Sequence, residues 1–145
     1  MHHTIISAEQ FRAERKPSWI VLDCRFDLGA PLWGEQAWRA GHLPGAHYLH
    51  LENQLSGSKT GSNGRHPLPD AQNLAQEFAA LGIGADSQVI TYDDAGGVYA
   101  ARAWWLLRWL GHDQVALLDG GVRAFVAAGG ALDQETPGRQ QRRFP

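Results

Sequence analysis

The sequence predicts a single α/β domain with a mainly parallel five-stranded sheet and helices on both of its faces. Short apolar runs of strand length alternate with segments of helical periodicity, which is the signature of βαβ units. The chain has 145 residues, the size of one domain. Apolar residues make up 43% of it and charged residues 19%, as in ordinary folded domains.

The first strand and the first helix are predicted to be short. Residues Ile5-Ile6 are expected to form an edge strand, and Ser7 is a suitable N-cap for a helix from Ala8 to about Lys16. Residues 19–23 form a continuous apolar run that ends in Asp23, which is typical of a buried parallel strand.

The middle of the chain has the weakest patterns. Residues 36–40 are compatible with a helix, and Pro44-Gly45 predicts a type II turn before a third strand over residues 46–51. Residues 56–64 contain no apolar residue and four serines or threonines, so a mobile loop is expected there.

The second half of the chain repeats the alternation more clearly. Asp70 opens a helix with apolar residues at helical spacing, and Gly82 follows at its end. Residues 89–92 and 115–118 are the predicted fourth and fifth strands. A helix from about Val98 to Leu110 lies between them, and Gly120-Gly121 turns into a last helix that reaches Ala128.

Composition excludes several classes of protein. The net charge is −2 with mixed signs, which argues against nucleic-acid and anionic-membrane partners. The single cysteine, Cys24, forms no internal disulfide and suits a reducing compartment. Charged residues at positions 12–16 interrupt any signal-peptide core, and no apolar run approaches the roughly 20 residues of a spanning helix. A cytoplasmic location is therefore expected.

The loop from Asp93 to Val98 is the predicted functional site. It follows a buried strand, contains Gly96 and Gly97, and leads into a helix whose free N–H groups attract an anion. A cysteine in such a loop has a lowered pKa, because the amides stabilise the thiolate. The position holds Asp93 instead, so we expect a carboxylate oxygen of Asp93 or Asp94 to accept a hydrogen bond from at least one amide of this loop.

Five segments occur in an order and at a spacing that resemble the N-terminal rhodanese domain of a two-domain thiosulfate or 3-mercaptopyruvate sulfurtransferase. They are Gly41-His42-Leu43-Pro44-Gly45-Ala46, Gly64-Arg65-His66-Pro67-Leu68-Pro69, Tyr92-Asp93-Asp94, Ala101-Arg102-Ala103-Trp104-Trp105 and Leu118-Asp119-Gly120-Gly121. The resemblance covers nearly the whole chain.

This resemblance implies a rhodanese-like domain over residues 1–136. Residues 137–145 lack periodicity and a cap, and are predicted to begin an interdomain linker. In the family the N-terminal domain is an inactive duplicate, and a C-terminal partner domain carries the cysteine that becomes persulfidated. The chain alone is thus expected to be inactive. The implied substrate is a small sulfur donor such as thiosulfate or 3-mercaptopyruvate, and no cofactor or metal is predicted.

Three interpretations of Asp93 and Asp94 remain open. The first is a helix-start carboxylate satisfied by amides. The second is a phosphoryl-accepting aspartate with a metal, which needs further carboxylates from Asp23, Asp27 and Asp119. The third is a relic loop, including Gly96 and Gly97, in which a carboxylate replaces a thiolate. We favour a relic that also acts as a cap.

Three histidine and cysteine side chains, those of Cys24, His50 and His66, are candidate site residues. In the relatives, a histidine just before a similar Leu-Pro faces the interdomain cleft. This implies that His66, with the positive charge of Arg65, orients the substrate carboxylate or relays a proton. A solvated loop histidine is an equally good interpretation. His50 stands where relatives often have an acid, which argues against an acid–histidine–serine relay. Cys24 lacks a glycine-bearing amide cradle and is expected to be a buried small hydrophobe.

The predicted helix from Val98 to Leu110 is apolar nearly all round, relieved only by Arg102 and Arg108. Its second apolar side is expected to pack on neighbouring helices or on a second domain, and the isolated domain is expected to self-associate through this side. Two further functions stay open. One is a free-standing rhodanese-like module that binds an anion or a protein, and the other is a phosphatase-like enzyme on the same fold.

Overall fold

The computed structural model describes residues 2–27, 29–30, 32–50, 56 and 69–136. The strands and helices alternate along this part of the chain. The strands are β1 (Ile5–Ile6), β2 (Ile20–Asp23), β3 (His47–Tyr48), β4 (Val89–Tyr92) and β5 (Val115–Leu118). The helices are α1 (Ala8–Glu14), α2 (Trp33–Ala40), α3 (Ala71–Ala80), α4 (Val98–Trp109) and α5 (Gly121–Ala127).

The five strands form one sheet in the order β1-β5-β4-β2-β3, and each neighbouring pair is parallel. The predicted α/β class and five-stranded sheet are therefore confirmed. The central pair is in register from Ile20 opposite Val89 to Asp23 opposite Tyr92. Because parallel strands end at the same edge, the residues that follow β2 and β4 meet at the carboxyl edge of the sheet.

Helices cover both faces of the sheet, as predicted. On one face α3 and α4 bury apolar residues such as Phe78 and Leu106 against Leu22 of β2. On the other face α1 and α5 pack through Phe11 and Phe125, whose rings meet edge to face at 6.0 Å between centroids. Adjacent residues of a strand point to opposite faces, so β2, β4 and β5 each contribute to both cores.

The capping predictions are confirmed. Ser7 and Gln10 form a reciprocal capping box at the start of α1, and the Asp70 side chain accepts a hydrogen bond from the Asn73 amide at 3.0 Å. Gly45 has φ +78°, as the second central position of a type II turn requires.

Some element boundaries differ from the prediction. Helix α1 ends at Glu14 instead of Lys16, because Arg15 is extended and Lys16 precedes Pro17, a position that disfavours helix. Helix α2 begins at Trp33, earlier than expected, and β3 pairs over only two residues. The predicted mobile loop at 56–64 lies outside the described residues apart from Ser56, which is buried.

The two sides of α4 differ. Ala100, Ala103, Leu106 and Leu107 are buried in the core. Trp105 and Trp109 lie on the outer side, 46% and 42% exposed, with their rings stacked at 6.0 Å and 11°. Within the described residues, this outer side has no neighbouring helix over it that buries the two rings. None of the helices in the described part of the chain is long and apolar enough to span a membrane.

Candidate functional site

The side chain of Asp93 is the centre of the loop that follows β4. It is only 2% exposed, and each carboxylate oxygen accepts two backbone hydrogen bonds. Oδ1 accepts from the amides of Ala95 and Gly97, and Oδ2 accepts from those of Tyr99 and Ala100, all at 2.9 Å. The expectation of at least one amide contact is confirmed. We call these four N–H groups the amide cradle.

The backbone conformation of two glycines, Gly96 and Gly97, lets the N–H groups of the amide cradle point toward Asp93. Gly96 and Gly97 have φ +74° and +94°, in the left-handed region that residues with a Cβ rarely adopt. Successive left-handed and turn residues point their N–H groups toward one centre. Gly97 is the N-cap of α4 and has no side chain to offer, so Asp93 accepts from N–H groups of the first helical turn in its place.

The backbone of Asp93 is held as closely as its side chain. Its carbonyl oxygen accepts a hydrogen bond from Val122 at 3.2 Å, at the start of α5. A Cβ on Gly121 would lie 2.0 Å from this carbonyl oxygen, so only glycine permits the approach. The start of α4 therefore fixes the carboxylate of Asp93, and the start of α5 fixes its carbonyl.

Asp94 has a different environment from its neighbour. It is half-buried, and burial raises the pKa of its carboxyl group, an effect that Arg25 opposes and Asp93 reinforces. The folded state thus disfavours the charged form of Asp94, whereas four N–H donors surround the carboxylate of Asp93.

A buried ion pair lies beside the amide cradle and is not anticipated by the sequence analysis. Arg25 donates to both oxygens of Asp23, at 2.6 to 3.1 Å, and to the Gly41 carbonyl at 2.7 Å. Burial alone would lower the pKa of Arg25, but the hydrogen bonds and charge of Asp23 raise it. The Tyr92 hydroxyl donates to Asp23 at 2.8 Å. Burial is the larger cause of the raised pKa of Tyr92, and the negative charge of Asp23 is the second. An acid and a base two residues apart at a strand end are the signal that could have indicated the pair.

Cys24 is unsuited to nucleophilic chemistry. The side chain is 1% exposed, and burial, with smaller effects of Asp23 and Asp93, raises its thiol pKa well above the ordinary value. A thiol that is buried near carboxylates stays protonated and unreactive. The prediction that Cys24 is a buried small hydrophobe is confirmed.

The structure describes only some of the remaining predicted site residues. Arg65, His66 and residues 137–145 lie outside the described residues. His50 is buried and meets the ring of Phe26 edge to face at 5.3 Å. Asp119 is exposed. The described ranges contain no group of three or more His, Cys, Asp or Glu side chains placed to hold a metal.

The fold and this loop identify the class of protein. A model of the rhodanese-like domain matches residues 7–128, and the chain belongs to that family. It is 50% identical over 131 residues to a probable 3-mercaptopyruvate sulfurtransferase of Pseudomonas aeruginosa, an alignment that covers 88% of this chain and 46% of the relative. It is 38% identical over 125 residues to the human 3-mercaptopyruvate sulfurtransferase, with 82% and 40% of the two chains covered.

Solved structures agree with this assignment. The 3-mercaptopyruvate sulfurtransferase from Leishmania major superposes with a TM-score of 0.85 at 26% identity, over 99% of this chain and 39% of that one. SseA from Escherichia coli, a 3-mercaptopyruvate sulfotransferase, gives a TM-score of 0.79 at 26% identity, over 99% and 56%. The chain thus spans about half, or less, of the length of these relatives.

The close approach of Gly121 to Asp93 leads to a stability prediction. Gly121→Ala should lower the free energy of unfolding by about 3 kcal/mol, because the new Cβ displaces the Asp93 carbonyl in addition to the strain of a positive φ. Gly96→Ala is the matched control: its φ is also positive, but nothing lies within 4 Å of an added Cβ, so we expect a loss of only about 1 kcal/mol. Chemical denaturation measures both. Equal losses would show that Gly121 does not fix Asp93.

Proposed function

We propose that this chain is the N-terminal, non-catalytic rhodanese domain of a cytoplasmic sulfurtransferase of the thiosulfate or 3-mercaptopyruvate type. Residues 1–136 would form the domain, and residues 137–145 would begin the linker to a second rhodanese domain. The observation that carries the proposal is the Asp93 carboxylate, which occupies all four N–H groups of the amide cradle.

The chemistry of sulfur transfer explains why this observation matters. A cysteine thiolate in such a loop attacks the transferable sulfur of the donor and becomes a persulfide, while the donor's S–S or C–S bond breaks and sulfite or the enolate of pyruvate leaves. A thiophilic acceptor such as cyanide then attacks the outer sulfur, takes it as thiocyanate, and releases the cysteine thiolate. The amides stabilise the sulfur anion before and after transfer. Asp93 supplies an anionic group for the amides but no sulfur nucleophile. This half of the protein would therefore have the loop conformation of an active domain without its catalytic activity. The reacting cysteine would belong to the second domain.

The contribution of this domain to the reaction would come from Arg65 and His66. We propose that they contact the substrate at the interdomain cleft, where the guanidinium binds a carboxylate and the imidazole orients it or relays a proton. This part of the proposal is supported by the resemblance of Arg65-His66-Pro67-Leu68-Pro69 to the family segment.

The alternative function is a free-standing rhodanese-like module that binds an anion or a protein without catalysis. Occupancy of the amide cradle by Asp93 disfavours the anion, because an external ligand would find these donors already engaged. The exposed Trp105 and Trp109 are compatible with a protein partner. A phosphatase-like activity is disfavoured, because the cysteine nucleophile is missing and the Asp93 oxygens are turned to amides.

The proposal predicts that the 145-residue chain has no thiosulfate:cyanide or 3-mercaptopyruvate sulfurtransferase activity. The physical reason is that Asp93 replaces the nucleophile and Cys24 is buried and protonated. In steady-state assays, the wild type and Cys24→Ala should both show only the uncatalysed rate measured in buffer without protein. Turnover that disappears in Cys24→Ala would contradict the proposal.

A second prediction concerns a cysteine placed in the amide cradle. In a Cys24→Ala background, Asp93→Cys should have a thiol pKa below the model value of about 8.5, because the same amides favour the thiolate. Val126→Cys, on the exposed side of α5, is the matched reference thiol and should titrate near the model value.

The pKa is measured from the rate of alkylation against pH. An Asp93→Cys thiol that titrates at or above the reference would mean that the amides do not stabilise an anion. Sulfur transfer need not appear in this variant, since the substrate contacts of an active site are not supplied by the substitution.

We also propose that the outer side of α4 covers part of the second domain and makes the isolated domain self-associate. Trp105→Gln with Trp109→Gln should therefore reduce the weight-average mass at high protein concentration, whereas Val126→Gln, a similarly exposed apolar residue on α5, should not. Sedimentation equilibrium measures this. A wild-type chain that stays monomeric at high concentration would contradict the proposal.

A further inference from the structure

A cavity of about 470 Å³ lies at the amino edge of the sheet. Residues that precede β1, β2 and β4 surround it, and parallel strands begin at the same edge of a sheet. The amide cradle follows β4 and is therefore at the opposite edge. Small-molecule sites in proteins have volumes of about 300 to 1,000 Å³. The cavity is thus large enough for a small ligand and is separate from the loop on which the proposed sulfur-transfer function rests.

Side-chain contacts fix one wall of this cavity. Gln88 is 2% exposed; its Oε1 accepts a hydrogen bond from the His2 amide at 2.8 Å, and its Nε2 donates to the His2 carbonyl at 2.9 Å. The His2 ring in turn meets the Trp19 ring edge to face at 6.0 Å, and its Nε2 lies 3.0 Å from Glu14 Oε1. The wall is held in place before a ligand arrives, which lowers the entropic cost of binding.

The side chains of Trp19, Lys16 and Asp86 line the cavity and have no hydrogen-bond or ion-pair partner within the described part of the chain. Trp19 is 8% exposed, and a buried indole N–H usually donates to an acceptor. Lys16 and Asp86 are exposed and form no ion pair with each other or with another described residue. The cavity therefore presents one N–H donor, one cation and one anion that a ligand can use.

We propose that this cavity binds a small zwitterion that carries both a carboxylate and an ammonium group, an α-amino acid or a dipeptide. The ligand's carboxylate accepts hydrogen bonds from the Trp19 indole and the Lys16 ammonium. Its ammonium group donates to the Asp86 carboxylate, and its apolar part contacts the Trp19 ring. This binding is independent of sulfur transfer, because none of these residues belongs to the loop of Asp93.

The charges that line the cavity select this chemical class. A ligand with only a negative charge would meet Asp86 without compensation, and one with only a positive charge would meet Lys16 in the same way. Glu14 adds little to this balance, since the His2 ring already contacts its carboxylate. A zwitterion satisfies the cation and the anion together, and both are available to it because they do not pair with each other.

Binding is measured on the full chain from the NMR shifts of the Trp19 indole N–H, a resonance assigned by its loss in Trp19→Phe. L-leucine or glycyl-L-leucine should shift it saturably as the concentration is raised. The Trp38 indole is the internal control, because it already donates to the Ala46 carbonyl at 2.7 Å and should not shift. N-acetyl-L-leucine and L-leucinamide, each lacking one charge, should bind at least about threefold more weakly. No saturable shift with either zwitterion, or equal affinity for a singly charged analogue, would overturn the proposal.

Substitutions of the two charged side chains test their part in binding. Lys16→Gln and Asp86→Asn should each raise the dissociation constant of the zwitterion about threefold, the size expected for one exposed ion pair. Arg123→Gln and Glu9→Gln are the matched controls and should leave the constant unchanged, because these exposed residues do not line the cavity. Equal constants in all four variants would show that the charges of the cavity do not hold the ligand and would overturn the proposal.

Discussion

Four backbone amides and the carboxylate of Asp93 form the interaction on which the carboxyl edge of this sheet depends. The carboxylate joins β4 to the first turn of α4 through its side chain, and its own carbonyl joins the same residue to α5. Two left-handed glycines and the missing Cβ of Gly121 make this geometry possible. A buried charge is tolerated only where such donors replace water, and here they do so completely.

The neighbouring pair of Asp23 and Arg25 stabilises a buried carboxylate in another way. Here a buried carboxylate is matched by a guanidinium. The Tyr92 hydroxyl donates a further hydrogen bond to Asp23, and the Gly41 carbonyl accepts one from Arg25. The pair connects the ends of β2 and β4 to the turn after α2, where the His42 ring contacts the Glu135 carbonyl oxygen. The strand ends and this turn are thus linked by polar contacts, while the two apolar cores lie beneath them.

Much of this architecture follows from sequence patterns, and the exceptions have physical causes. Strands β4 and β5 have their predicted bounds, because each is an apolar run with polar or turn residues on both sides. The contact of Asp93 with an amide is predictable from a carboxylate before two glycines, but its four donors depend on backbone angles that no pattern encodes. The ion pair of Asp23 with Arg25, and its bond to Tyr92, require the pairing of β2 with β4. That pairing is determined by tertiary packing and cannot be predicted from local periodicity.

The central claim is that the two side-chain oxygens of Asp93, and no other acid of its loop, hold the amide cradle together. The most direct measurement is the free energy of unfolding of Asp93→Asn beside that of Asp94→Asn. Asparagine at position 93 would turn an NH₂ group toward two amide donors, so we expect a loss of about 3 kcal/mol or more. At position 94 the folded state disfavours the charged form, and the change should be within about 0.5 kcal/mol of zero. A loss at position 93 no larger than that at position 94 would contradict the claim.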